Sequence, residues 1–308
     1  MELRYIYRGL GVGLVGGLLA FVFARIFAEP FIQDAIDYEG GRDAAQEALS
    51  HAAGLGHAGG GHEEAEVFSR SVQSNIGIGV GMAAFGLAMG GLFIVAYLLV
   101  SRRYPGVRPR VLAGLLAGAG FVSLYLVPFA KYPANPPAVG HEETIGDRSI
   151  LYVTMVAVSV VSLVLAVIAG RWLAGRVGTW NASLLGAVVF FVLVGVAMGL
   201  LPPLGHLASN KAEYGTLATE TPQPLRDARG AIVYPGFDAD LLFRFRFYSV
   251  ISQLLLWLTI GFGFGALAER LAGEPARVRT PRATTGAAVT DRASAGAPSS
   301  TAAPSAAG

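Results

Sequence analysis

Residues 76–100 read "IGIGVGMAAFGLAMGGLFIVAYLLV", a run of 25 residues with no charge. About 20 apolar residues in helical form cross the hydrocarbon of a bilayer. The run lacks the alternation of a barrel strand, and a helix is then the way to satisfy its backbone in lipid. Five more stretches read alike: 9–28, 111–130, 150–170, 182–204 and 249–268. The whole chain agrees. Of its 308 residues 53% are hydrophobic and 14% charged, and the mean hydropathy is +0.53, whereas a soluble domain carries about 25% charged residues. The expected fold is an all-α integral membrane protein, with a six-helix bundle over residues 1–272.

The first run reads as a retained helix. Arg4 and Arg8 precede it as they precede a signal sequence, but "ARIFAEP" (24–30) is a poor cleavage site. The chain has no cysteine, which excludes disulfides, thiolate metal sites and cysteine nucleophiles. No Gly-rich phosphate loop is present, and no Ser/His/Asp set or paired buried carboxylate lies within the helices. The chain therefore does not read as an enzyme, and nothing points to nucleic acid or to a permanently bound cofactor.

Charge sets the orientation. The N-terminus, the turns "SRRYPGVRPR" (101–110) and "RWLAGR" (171–176), and the C-terminal part hold thirteen basic residues against four acids. The segments 29–75, 131–149 and 205–248 hold nine against seventeen. Both termini are thus expected in the cytoplasm, with the acidic segments outside the cell membrane. All five histidines, His51, His57, His62, His141 and His206, fall in those outer segments.

The first outer segment is the most acidic. Asp34, Asp37, Glu39, Asp43 and Glu47 make one face if it is helical. "GLGHAGGGHEEAE" (54–66) then adds His57, His62, Glu63, Glu64 and Glu66. Imidazole with carboxylate suits Co²⁺, Ni²⁺ or Zn²⁺, and an acidic surface concentrates cations. The spacing of these histidines, in a Gly-rich run, matches no rigid site. A solvated connector is the competing reading. His141 and His206 each stand at the outer end of another hairpin and make a better-ordered pair if the bundle brings them together.

Within the membrane, Asn75, Ser123, Tyr125, Ser159, Ser162, Asn181 and Gln253 either line a path or bond to neighbouring helices. Arg25, four residues before Glu29, reads as an interfacial residue or an anion site. Met82 and Met89 share a face, which packing explains. Glycines four apart, such as Gly9/Gly13/Gly17, Gly86/Gly90 and Gly114/Gly118, favour close helix contacts. Prolines in "AEPF" (28–31), "LVPF" (126–129) and "LLPP" (200–203) end three helices. Arg70, Arg148 and Arg246 precede the other three. This pattern suggests three like hairpins around one axis. Residues 273–308, rich in Ala, Pro, Ser, Thr and Gly, read as a disordered cytoplasmic tail.

"EPFIQDAIDYEG" (29–40), "VFSRSVQSNIG" (67–77), "VPFAKYPANPPAVG" (127–140) and "LLPPLGHL" (200–207) together resemble the CbtA family of probable cobalt transporter subunits. The likeness extends over about residues 1–272. It implies uptake of Co²⁺ across the cytoplasmic membrane for corrinoid synthesis. It also implies a small one-helix partner with a His-rich terminus, CbtB. The family's acidic Tyr-Glu element falls on Tyr38 and Glu39, and its proline-marked exits on Pro30, Pro128, Pro133, Pro136, Pro137, Pro202 and Pro203. The expectation is a divalent-metal uptake component. Its candidate ligands are His51, His57, His62, Glu63, Glu64, His141, His206 and Glu39, with Co²⁺ (or Ni²⁺ or Zn²⁺) bound in transit. The alternative is a non-transporting scaffold or metal sensor that docks a partner through its outer segments.

Overall fold

The structure, a computed structural model, describes residues 2–54, 72–217 and 219–273. Among them six helices are long and apolar enough to cross a membrane: Leu3–Phe27, Asn75–Arg103, Pro109–Lys131, Glu142–Val177, Thr179–His206 and Ala239–Leu271, the first to sixth spans. The second to sixth spans overrun the expected stretches at both ends and the first begins six residues earlier, because helices continue past the hydrocarbon into the headgroup region, where charge is tolerated. The regular helix Ile145–Val177 has 33 residues, about 50 Å at 1.5 Å per residue. The last helix runs through Gly273, and the remaining tail, 274–308, lies outside the described residues.

The first and second spans meet through glycine. A Cβ added at Gly13 would overlap the Gly86 carbonyl oxygen and lie 2.8 Å from the Gly90 Cα. One added at Gly90 would lie 2.7 Å from the Gly9 oxygen. Backbones this close gain dispersion contacts that lipid cannot match. The third and sixth spans complete a four-helix body around Phe93, Ile94, Tyr97, Leu256, Ile260 and Phe264. Met82 and Met89 pack against that core, as apolar filler.

The fourth and fifth spans form a separate hairpin. One residue, Gly178, turns the chain between them at φ +79°, a conformation that strains an L side chain. Gly170 packs on Ala182, and Gly186 on Ala166. Met155, Phe190 and Val194 then join this hairpin to Val127 and Tyr132. The spans therefore group as four plus two, not as three equivalent hairpins. The fifth and sixth spans make no interface comparable to that of the first and second.

The third span is not regular. Residues Phe121–Leu126 form a π turn between the α-helices Pro109–Gly120 and Val127–Lys131. Similar turns occur at Gln73–Gly77 and Thr259–Gly263.

The acidic segments are more structured than a loop reading implies. Residues Glu29–Ala52 are a helix, with a proline at its start. Pro30 lacks an N–H, which the first turn does not need. This cap helix buries Ala35 completely against Val139 and Phe237, with Tyr38, Leu241 and Leu242 around them. The third acidic segment includes the short helix Ala208–Tyr214 and a strap, residues 219–237. In the strap Leu225–Arg226 pairs antiparallel with Ile232–Tyr234. Asp227 holds the turn by accepting from the Arg229 and Ala231 amides at 2.9 and 2.8 Å.

At the opposite end Arg110 meets Glu269 at 3.1 Å, and Arg8 donates to the Leu267 carbonyl. Arg25 donates to Asn75 Oδ1 at 2.9 Å, tying the first span to the second.

Candidate functional site

The three acidic segments come together in one cap, held by the strap. Tyr38 donates to the Pro235 carbonyl at 3.0 Å, and Tyr234 donates to the Tyr38 carbonyl at 3.2 Å. Arg42 donates to the Gln223 carbonyl at 2.7 Å. These bonds place the side chain after Tyr38, that of Glu39, beside residues 138–142.

Glu39 is the perturbed carboxylate of the cap. Burial raises its pKa above the ordinary carboxylate range; Asp43 and Glu142 push the same way. The Ala138 amide donates to it and opposes the rise. Ala138 has φ +67° without being glycine. Such positions are strained and cluster at functional sites.

Next to Glu142, His141 Nε2 lies 3.6 Å from Glu213 Oε2, both side chains being somewhat over one-third exposed. The other ring nitrogen, Nδ1, is buried and has no partner among the described residues. Glu213 accepts from Tyr214, whose hydroxyl burial and this carboxylate raise above its ordinary value. Glu39, Asp43, Glu142, His141 and Glu213 thus make one electrostatic neighbourhood drawn from three segments.

The sequence candidates distribute unevenly. Glu39 and His141 are in this neighbourhood. His51 is near the end of the cap helix, exposed, with Glu47 at 3.6 Å. His206 closes the turn Leu204–His206 and is exposed. His57, His62, Glu63 and Glu64 lie outside the described residues. Among the described residues no three of His, Asp and Glu stand close enough to enclose a metal ion. The cap suits loose attraction of a hydrated cation better than dehydration. Glu142 and Glu213 do not stand out as ligands in the sequence. The only hint at Glu142 is its place beside His141 in "GHEET".

A second cluster flanks the first. Glu220 of the strap stands 3.5 Å from Arg148, an ion pair at the start of the fourth span. Glu220 also accepts from Asn135 at 3.0 Å, and its carbonyl accepts from the Gly140 amide. Arg246 of the sixth span donates to Asn135 Oδ1 at 2.7 Å and to the Ala134 carbonyl at 3.1 Å. Two of the three arginines of the sequence pattern, Arg148 and Arg246, therefore anchor the strap. Arg70 lies outside the described residues. Beneath this latch a cavity of about 460 Å³ runs from Pro133 and Ala134 down to Tyr125 and Tyr152, with Arg148 in its wall.

Six apolar spans crowned at one end by folded acidic segments define a multi-pass, all-helical membrane protein. Residues 2–269 match the family model of CbtA, the probable cobalt transporter subunit, and the chain belongs to that family. No curated protein and no solved structure matches it.

Proposed function

We propose that this chain is the membrane-embedded subunit of a Co²⁺ uptake system, gathering the cation at its acidic cap and passing it through the bundle. The observation that carries this reading is the convergence of Glu39, Asp43, Glu142, His141 and Glu213 from three distant segments. A surface of clustered carboxylates raises the local concentration of divalent cations. In this reading His51 extends the surface and His206 adds a further nitrogen at the rim, and the remaining candidate ligands, His57, His62, Glu63 and Glu64, belong to the same acidic segment of the sequence. Co²⁺, Ni²⁺ and Zn²⁺ share these ligand preferences.

In this proposal the cap faces outward and both termini are cytoplasmic, so the cell's own potential drives the cation inward. Each charge gains about 2.3 kcal/mol per 100 mV, so a divalent ion gains about 4.6 kcal/mol. No ATP site is needed. The family's description as a subunit implies a partner, which we take to be the small one-helix CbtB protein.

The test is reconstitution. Liposomes holding the protein, with and without the partner, accumulate Co²⁺ under an inside-negative potential and stop when the potential is collapsed. Accumulation equal to that of empty liposomes, with Co²⁺ still bound to the protein, rejects transport and makes the chain a scaffold or sensor.

A further inference from the structure

The structure divides the polar residues of the spans into two kinds. Ser123 donates to the Ala119 carbonyl at 2.7 Å within the third span, and Asn181 donates to the Val177 carbonyl at 3.1 Å across the turn between the fourth and fifth spans. Asn75 accepts from Arg25. In contrast Tyr125 Oη, Ser159 Oγ and Gln253 Oε1 are buried and have no hydrogen-bond partner among the described residues. Buried polar atoms are nearly always paired, with protein, water or an ion, and the demand is sharper in hydrocarbon.

These three residues lie on the third span and on the fourth and sixth spans, both of which pack against its Phe121–Leu126 turn. The third and sixth spans run antiparallel: a Cβ at Gly265 would lie 3.3 Å from the Ala113 Cβ, and one at Gly261 would lie 2.7 Å from that of Ala117. A Cβ at Gly120 would overlap the Trp257 ring. Each step of about four residues up one helix is a step of about four down the other. The next step sets Gln253 level with Leu124 and Tyr125. Tyr125 shares the cavity below the latch with Tyr152 of the fourth span. Ser159 is seven residues beyond Tyr152, on the same helix face and about 10 Å deeper. Ser159 is 0% exposed. At the level of Tyr125 the third span makes its π turn, a rare geometry that recurs at functional sites.

We propose that the seam between the third, fourth and sixth spans is a hydrated passage for the divalent cation, reached from the cap through the Tyr125–Tyr152 cavity. Tyr125, Gln253 and Ser159 are its stepping oxygens. This rests on the transport reading above. Neutral hydroxyl and amide oxygens suit an ion that keeps most of its water, and they hold it weakly enough to release it. Arg148 in the cavity wall is paired with Glu220, which lowers the barrier it presents to a cation.

The cysteine-free chain makes a direct test. Gln253→Cys and Ser159→Cys, the second nearly isosteric, are reconstituted separately, with Val192→Cys on the outer face of the fifth span (56% exposed) as control. A charged, membrane-impermeant thiol reagent attacks only thiolate, which needs water. Both seam cysteines are expected to react about tenfold or more faster than Val192→Cys, and added Co²⁺ to slow them selectively. Rates no faster than the control, or rates indifferent to Co²⁺, overturn the proposal. If the unsubstituted protein moves Co²⁺ but the labelling pattern fails, the seam is wrong and transport stands. If it moves none, the transport reading falls, and the passage with it.

Discussion

The first and second spans are sealed by glycine along their contact, whereas the third and sixth close tightly at Gly120, Gly261 and Gly265 and beyond them meet unpaired polar atoms. Gly13, Gly17, Gly86 and Gly90 press backbone to backbone and leave no room for even a methyl group. The other seam has a tyrosine, a glutamine and a serine whose oxygens find no protein partner among the described residues. Lipid offers helices no hydrophobic drive to associate, so tight dispersion contact is what holds the first pair. The second seam gives up part of that contact for polar groups. If the proposed passage holds, the first interface stays closed while the second admits polar cargo.

The harshest way to break this contrast is Gly13→Leu. Overpacking a filled interface costs about 3 kcal/mol or more when backbone has to move. Recovery of folded, monodisperse protein should collapse; wild-type thermal stability would show that the glycine seam is not closed.

Glu220→Gln comes next. It keeps the shape of the latch but leaves Arg148 and Arg246 without their carboxylate above the cavity. We expect a loss of about 2 kcal/mol in thermal unfolding and a several-fold fall in Co²⁺ uptake. Unchanged uptake would separate the strap from the passage.

Glu39→Gln sharpens the picture of the cap through pH. The fold raises this carboxyl above its ordinary value of 4.5, so the native cap favours the protonated form. Its contribution is therefore fully present below the unfolded pKa and lost as pH rises through the folded one. Wherever it is ionised, the side chain works against the cap unless a cation offsets it. Hydrogen exchange of residues 29–52 should show a cap more protected in the variant than in the wild type at neutral pH, with a flatter pH profile and less protection gained from Co²⁺. The smallest effect is expected from Gly118→Ala, because a Cβ there meets nothing within 4 Å. Stability should stay within about 0.5 kcal/mol, against the collapse at Gly13, although both glycines belong to similar i,i+4 pairs.

The spans were legible because an apolar run of about 20 residues or more, nearly free of charge, has few fates besides a membrane helix. The cap helix was not, since its buried face rests on Ala35 and Tyr38 amid many acids, a pattern that reads equally as a solvated connector. Pairs such as Arg42–Gln223 and Asn135–Arg246 join residues more than a hundred apart, and no local periodicity announces them. Arg148 and Arg246 were visible as a recurring arginine ahead of a span, but Glu220, their partner, carried no signal. The division of Gly pairs into filled and open ones likewise needs the neighbouring helix.

The strap bears on how the protein is made. Its bonds reach back to Tyr38, Arg42, Asn135, Gly140 and Arg148 and, through Asn135, forward to Arg246. The link through Asn135 to Arg246 is complete only once the sixth span, Ala239–Leu271, has been made. The cap is thus finished late, and a chain interrupted before residue 219 would lack the strap and the Phe237 side chain that cover its cap helix.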